Sequence, residues 1–374
     1  MKLSRRQWLK NASLTGSLAL LSGPTSLFAL TEEEKRNFNP RPLDGLVRLG
    51  SNENPYGPSL KVREAMKNGF DLACRYPWSY NRELQEMVAK KEGVPSDHII
   101  LTAGSMEGLK IAGITYANNG GEIISGLPTF LSLMSYSEVW GAKINWVPLD
   151  SEMNFDLQEM EKRINGNTKL VFVCNPNNPT GKLLPAEQVL DFCETASNKT
   201  MVFSDEAYYD YIEDNTYPSM VELVKKGKNV IVSKTLSKVY GLAGIRIGYL
   251  IAKPEIAEQL SDRMVANTNI MAIEAAKAAL EDQDFYDFSL KKNHEARKSI
   301  ENTLRRLDLA YIPSQANFVF FHAKQDVGVL GEKMREKGVV IGRPFPPLND
   351  WCRISTGTLE EVQLFNLALT EIYS

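Results

Sequence analysis

Between about Leu60 and Ala266 the chain alternates short apolar runs with longer amphipathic stretches, and this alternation restricts the fold more than any other feature. His98 to Leu101, Glu122 to Ser125, Lys143 to Leu149, Lys169 to Cys174, Met201 to Ser204, Val230 to Ser233 and Ile245 to Ala252 have the length and composition of strands. Helical periods fall between several of them, at Met106 to Tyr116, Phe130 to Trp140, Ala186 to Ala196 and Ile256 to Val265. Strands that take turns with helices predict an α/β sheet with helices on its faces. Beyond this stretch the pattern changes to a helix-rich piece from Ala272 to Leu307, strands at Ala316 to Phe321, Gly338 to Ile341 and Cys352 to Ser355, and a terminal helix from Leu359 to Ile372. The expected organisation is a turn-rich arm over 31–60, a large domain over 61–266 and a small α+β domain over 267–374. A chain of 374 residues with 43% hydrophobic and 24% charged content supports two such cores.

The net charge of -3 offers no broad basic field, which disfavours nucleic acid as a main partner and leaves small molecules. Cys74, Cys174, Cys193 and Cys352 form no C-x-x-C pair, and His98, His294 and His322 lie far apart. That spacing gives little support to a metal centre or a disulfide framework.

In open α/β sheets ligands gather at the carboxyl ends of the strands, so the residues that follow each strand carry the functional information. Thr102-Ala103-Gly104-Ser105-Met106 turns at glycine into a helix whose first N–H groups and dipole suit an anion, although glycine also serves tight packing at such turns. Asn175-Pro176-Asn177-Asn178-Pro179-Thr180-Gly181 is an irregular loop whose amides can donate into a site; a rigid turn needs the same residues. Asp205, in Ser204-Asp205-Glu206-Ala207-Tyr208, is costly to bury unpaired and should face a cation, unless it merely caps a helix. Ser233-Lys234-Thr235-Leu236-Ser237-Lys238 precedes Gly241-Leu242-Ala243-Gly244-Ile245-Arg246. A lysine there can form an imine with a carbonyl cofactor while hydroxyls and Arg246 hold its phosphate. Taken singly, each lysine is of a kind more often found solvated at the surface.

These motifs, in this order, resemble those of the fold-type I pyridoxal-phosphate (PLP) aminotransferases. Ser51-Asn52-Glu53-Asn54-Pro55-Tyr56-Gly57-Pro58 and Arg75-Tyr76-Pro77 narrow the resemblance to histidinol-phosphate aminotransferases and their near relatives, from about Leu46 to the end. The resemblance implies a large domain with a mixed, mostly parallel seven-stranded sheet, PLP as cofactor, and a homodimer. It further implies that Lys238 bonds to the cofactor and shuttles the substrate proton, that Asp205 pairs with the pyridine N–H, and that Asn178 and Tyr208 hydrogen-bond the phenolic oxygen. Phe130 stands where the family stacks an aromatic residue, usually tyrosine, on the ring. Ser105 and Met106 through their backbone, with Thr235, Ser237 and Arg246, would hold the phosphate, and Tyr76 would reach it from the partner subunit. Arg353 matches the arginine that grips the substrate carboxylate; Arg343 and Asn52 match substrate contacts, although Arg343 also reads as a surface residue before a proline turn.

The implied reaction moves an amino group between an amino acid or amine and a 2-oxo acid, with histidinol phosphate and 2-oxoglutarate as the leading pair. An aromatic or other amino acid donor, or decarboxylase or lyase chemistry on the same scaffold, is compatible with the cofactor motifs. A non-catalytic binding module is the other reading, and the presence of Lys238, Asp205, Asn178, Tyr208 and Arg246 speaks against it. Residues 1–30, with Arg5-Arg6 ahead of a diluted apolar stretch from Ala12 to Leu30, resemble a twin-arginine export signal, with Trp8 where phenylalanine is usual. Periplasmic or exported localisation is then expected, cytoplasmic otherwise, and Pro24 with the glycines argues against a permanent membrane span.

Overall fold

The structure is a computed structural model that describes residues 45–374. The candidate export signal and the first part of the arm lie outside the described residues.

Chain order begins with β1 (Val47–Arg48), α1 (Leu60–Gly69), α2 (Trp78–Glu92), β2 (Ile99–Thr102), α3 (Ser105–Ala117), β3 (Glu122–Leu127), α4 (Ser132–Val139), β4 (Lys143–Pro148), α5 (Leu157–Arg163) and β5 (Thr168–Cys174). It continues with α6 (Ala186–Ser197), β6 (Met201–Asp205), α7 (Val221–Lys225), β7 (Val230–Thr235), β8 (Gly248–Ile251), α8 (Pro254–Ser261), α9 (Ile270–Leu280) and α10 (Gln283–Arg306). The last part holds β9 (Tyr311–Ile312), β10 (Phe318–His322), α11 (Val327–Glu336), β11 (Val339–Val340), β12 (Trp351–Ser355) and α12 (Leu359–Tyr373).

Seven strands form the main sheet in the order β2-β8-β7-β6-β5-β3-β4. All neighbours run parallel except β8, which is antiparallel to both β2 and β7. Central β5 and β6 are buried on both faces, which is why Leu170 to Cys174 and Met201 to Phe203 read as continuous apolar runs. A second core joins Val319, Phe321, Cys352 and Ile354 of the antiparallel β12-β10-β9 sheet to Ile300 and Leu304 of α10 and Phe365 and Leu369 of α12.

The described part of the arm joins this second core. Val47 and Leu49 are buried within it, and β1 pairs in parallel with β11, placing the following residues, Gly50 to Asn52, over the main sheet's carboxyl edge. After the arm, Leu60 opens α1, capped by Ser59 Oγ, which accepts from Val62 N.

Two further boundaries shift where the site is built. The strand expected from Ile245 starts only at Gly248, since Arg246 adopts a φ of +63° and cannot continue a ladder. The helix expected from Phe130 starts at Ser132, leaving Phe130 in the turn after β3.

A candidate active site at the sheet's carboxyl edge

The ends of β2, β3, β5, β6 and β7 converge on a cavity of about 220 Å³ lined by Ser51, Asn52, Ser105, Phe130, Asn178, Asp205, Ala207, Tyr208, Lys238 and Arg353. Eight of these were singled out by the sequence; Ser51 and Ala207 were not.

Lys238 follows β7, and its Nζ donates to the Asn52 carbonyl at 3.0 Å. No carboxylate among the described residues lies within ion-pair distance of it. Burial, reinforced by the nearby Arg353 guanidinium, lowers the Lys238 ammonium to about 8. An amine so placed is partly uncharged near neutral pH and able to act as a nucleophile or base.

Asp205 closes β6 and is 2% exposed. Its carboxylate accepts one hydrogen bond, from Ala207 N at 3.3 Å. Burial is the main reason its pKa rises to about 7, opposed by that N–H and by Lys238. The helix-capping alternative thus accounts for one weak contact and leaves most of a buried carboxylate's acceptor capacity unmet.

Tyr208 and Asn178 meet the arm. The Tyr208 hydroxyl accepts from Asn52 Nδ2 at 2.9 Å and from Asn178 Nδ2 at 3.4 Å. Burial pushes the phenol well above its ordinary range, so it stays protonated. Asn52 itself holds a φ of +53°, a conformation asparagine tolerates, and exchanges two hydrogen bonds with Ser355 Oγ. Ser355 is another contributor that the sequence left unmarked; it lies two positions beyond Arg353, hence on the same face of β12.

Arg353 donates from Nη1 to Asn178 Oδ1 at 2.7 Å and from Nη2 to the Gly50 carbonyl at 2.6 Å. Its Nε is buried with no partner among the described residues. Arg343 lies outside the cavity and is exposed, with Nη1 donating to the carbonyl of Pro344.

At the other end, α3 begins after Gly104, whose φ is +78°, with no side-chain cap. The N–H groups of Ser105 and Met106 have no acceptor among the described residues. Thr235 Oγ1 and Ser237 Oγ lie 2.9 Å apart, and Arg246 Nη2 donates to the Ala103 carbonyl at 3.2 Å. A Cβ on Gly104 would meet Arg246 Nη2 at 2.3 Å, so glycine is what admits the guanidinium beside the helix start. Free helix N–H groups, two hydroxyls and an arginine make a setting for a phosphate. Tyr76 is absent from all of this: it is 77% exposed and stacks on Trp78, itself 69% exposed.

Comparison with known proteins agrees with this arrangement. Residues 44–368 match the family described as aminotransferase class I and II. A histidinol-phosphate aminotransferase from Halalkalibacterium halodurans is 36% identical over 335 residues, covering 88% of this chain and 89% of that protein. One from Moorella thermoacetica is 36% identical over 345 residues, covering 91% and 88%. The crystal structure of histidinol-phosphate aminotransferase from Sinorhizobium meliloti in complex with pyridoxal-5'-phosphate superposes with a TM-score of 0.82 at 26% identity, covering 94% of this chain and 99% of that one. The sheet order, the strand-end cavity and the span of the family match lead to one assignment: the chain belongs to the class I and II aminotransferases.

Proposed function

We propose that this aminotransferase uses pyridoxal phosphate to move the amino group of histidinol phosphate to 2-oxoglutarate, as a homodimer exported by a twin-arginine signal. The observation that carries the reading is that one cavity holds a lysine amine and a buried carboxylate, neither of which forms an ion pair at contact distance among the described residues.

The residues fit the cofactor. Asp205 offers a buried anion that a protonated ring nitrogen would satisfy, Asn178 and Tyr208 offer groups for a phenolic oxygen, and Phe130 offers a ring face. Ser105, Met106, Thr235, Ser237 and Arg246 provide the donors for a phosphate. Bound there, pyridoxal phosphate supplies an aldehyde for the lysine and a ring that takes up the electron pair left at the substrate carbon. Lys238 Nζ, the amine nearest the substrate, would take the proton from the substrate α-carbon and hold it for return. Asp205 would keep the ring nitrogen protonated, and Tyr208 would hold its phenolic proton at that oxygen. Arg353, with Nε unpaired, would orient an anionic substrate group, and Asn52 would close the arm over the cavity.

Histidinol phosphate is favoured by the names of the two relatives at 36% identity and by Arg343 near Arg353. The homodimer is supported by Tyr76 and Trp78, whose stacked, exposed rings suit burial against a second copy and would let Tyr76 reach the partner's phosphate site. The export reading rests on Arg5-Arg6 and the apolar stretch behind them. No helix among the described residues is long and apolar enough to cross a membrane.

The test is a panel of amino donors added to the purified yellow enzyme, read as conversion of bound aldehyde to bound amine in the visible spectrum. Conversion by histidinol phosphate at concentrations where aromatic and other amino acids do nothing is the expected result. Equal conversion by aromatic amino acids would overturn the substrate and leave the reaction class standing.

A further inference from the structure

Past the end of β11, the backbone runs flush against β12. Gly342 N donates to the Arg353 carbonyl at 3.1 Å, and a Cβ on Gly342 would sit 2.5 Å from that oxygen. Immediately beyond, the segment 343–348 folds into a turn containing Pro344, Pro346 and Pro347, closed by Leu348 N donating to the Phe345 carbonyl at 2.9 Å. The turn tucks the ring of Phe345 inward. Phe345 is 5% exposed and meets Phe320 edge to face at 6.0 Å, in a cluster with Ile312 against which Met153, Leu348 and Trp351 also pack.

Two guanidinium groups share that ring. The Arg343 guanidinium carbon lies 4.4 Å from the ring centroid and that of Arg353 lies 5.0 Å from it. Neither arginine forms an ion pair with a carboxylate among the described residues. Like charges this close repel, and the negative face of an aromatic ring is what can hold them together without neutralising them. A carboxylate in place of Phe345 would cancel the charge that a substrate must use. A buried phenylalanine leaves it available.

We infer that Phe345 is a positioning residue that holds Arg343 and Arg353 as a paired cation, giving this site its preference for a doubly charged anionic ligand over a singly charged one. The inference builds on the proposed substrate reading but concerns the charge number of the ligand, which either a phosphate monoester or a dicarboxylate meets. Arg353, fixed by Asn178 and Gly50, forms the rigid half of the pair. Arg343, held only by its own turn and the ring, forms the adjustable half.

The experiment measures equilibrium binding of three unreactive probes to the holoenzyme, succinate, ethyl phosphate and butyrate, by the change in visible absorbance. Wild-type protein is compared with Phe345→Leu, Phe345→Tyr and Arg343→Ala. In Phe345→Leu the Kd of the preferred dianion should rise about tenfold while that of butyrate changes less than about twofold, with kcat at saturating donor retained. Phe345→Tyr, which keeps the ring, should preserve the wild-type ratio of dianion to monoanion affinity. Arg343→Ala should lose that ratio even if Phe345→Leu fails to fold. Which dianion binds tighter in wild type separates the phosphate source from the carboxylate source. Equal weakening of all three probes in Phe345→Leu, or an unchanged ratio in Arg343→Ala, overturns the inference. The probe ratios score it independently of the donor panel, so failure of one is not failure of the other.

Discussion

Two lysines four positions apart, Lys234 and Lys238, meet two carboxylates that are adjacent in sequence, Glu206 and Asp205, with opposite outcomes. Lys234, on β7, is 8% exposed and sits 2.7 Å from Glu92 Oε2 and 3.7 Å from Glu206 Oε2, with its Nζ 4.6 Å from the centre of the Tyr209 ring. Glu92 also accepts from the Tyr249 hydroxyl at 2.7 Å, and Glu206 from Ser219 Oγ at 2.6 Å and Met220 N at 2.7 Å. Burial alone would weaken the Lys234 charge, yet Glu206 and Glu92 together raise its ammonium above the ordinary value. Lys238 has a carbonyl for company and is driven down to about 8. Complete pairing makes one lysine a structural cation, and the lack of it makes the other a reactive amine.

The comparison breaks most visibly at the reactive member. Lys238→Ala should remove the covalent attachment of the cofactor, so that borohydride no longer fixes it to the chain, and should lower kcat by about 10²–10⁴-fold or more. Its folding should suffer little, because no ion pair is lost. Lys234→Met should show the reverse pattern. Glu92 and Glu206 then lose the cation between them and keep only Lys91, 3.8 Å from Glu92, which costs up to about 3–5 kcal/mol and should appear as a lower urea midpoint at unchanged slope. A Lys234→Met enzyme as stable as wild type would show that the cluster is not the structural cation site described here.

How much of this was legible in the sequence depended on how far apart the partners are. Asp205, Asn178, Tyr208 and Lys238 each follow a strand of one sheet, and the rule that parallel strands deliver their carboxyl ends to a common edge brings them together without knowledge of packing. The hydrogen bond from Arg353 to Asn178 spans 175 positions and two cores, and only the family resemblance could point to it. Lys234 lost its partner to the same cause: Glu92 lies 142 positions away at the end of α2, so a lysine in a strand read as solvated although it is buried. Helix α1 went unread because its inward face carries little apolar signal, with Val62 and Gly69 its only buried residues. Phe345 drew no reading from the sequence, since nothing local says that a guanidinium from another strand will rest near its ring.

The carboxylate halves of the comparison differ too, and pH resolves them. Asp205 titrates near its ordinary value of 3.8 when unfolded and at about 7 when folded without cofactor. Between those values the folded state holds a proton that the unfolded state has released, so the contribution of Asp205 to stability falls as pH rises through this window. The penalty is fully expressed above about pH 7 and vanishes below 3.8. Asp205→Asn removes the titration while keeping nearly the same shape. The cofactor-free variant should therefore melt above cofactor-free wild type at pH 8, by an amount equivalent to roughly 1–3 kcal/mol, and the gap should close steadily toward pH 4. Restoring pyridoxal phosphate should reverse the order at pH 8, because a ring cation then stabilises the wild-type carboxylate and cannot pair with an amide. Melting curves for both proteins, with and without cofactor, at four pH values test the sign directly. A gap that widens toward acid would mean that Asp205 is already paired in the empty cavity, and the contrast with Glu206 would lose its basis.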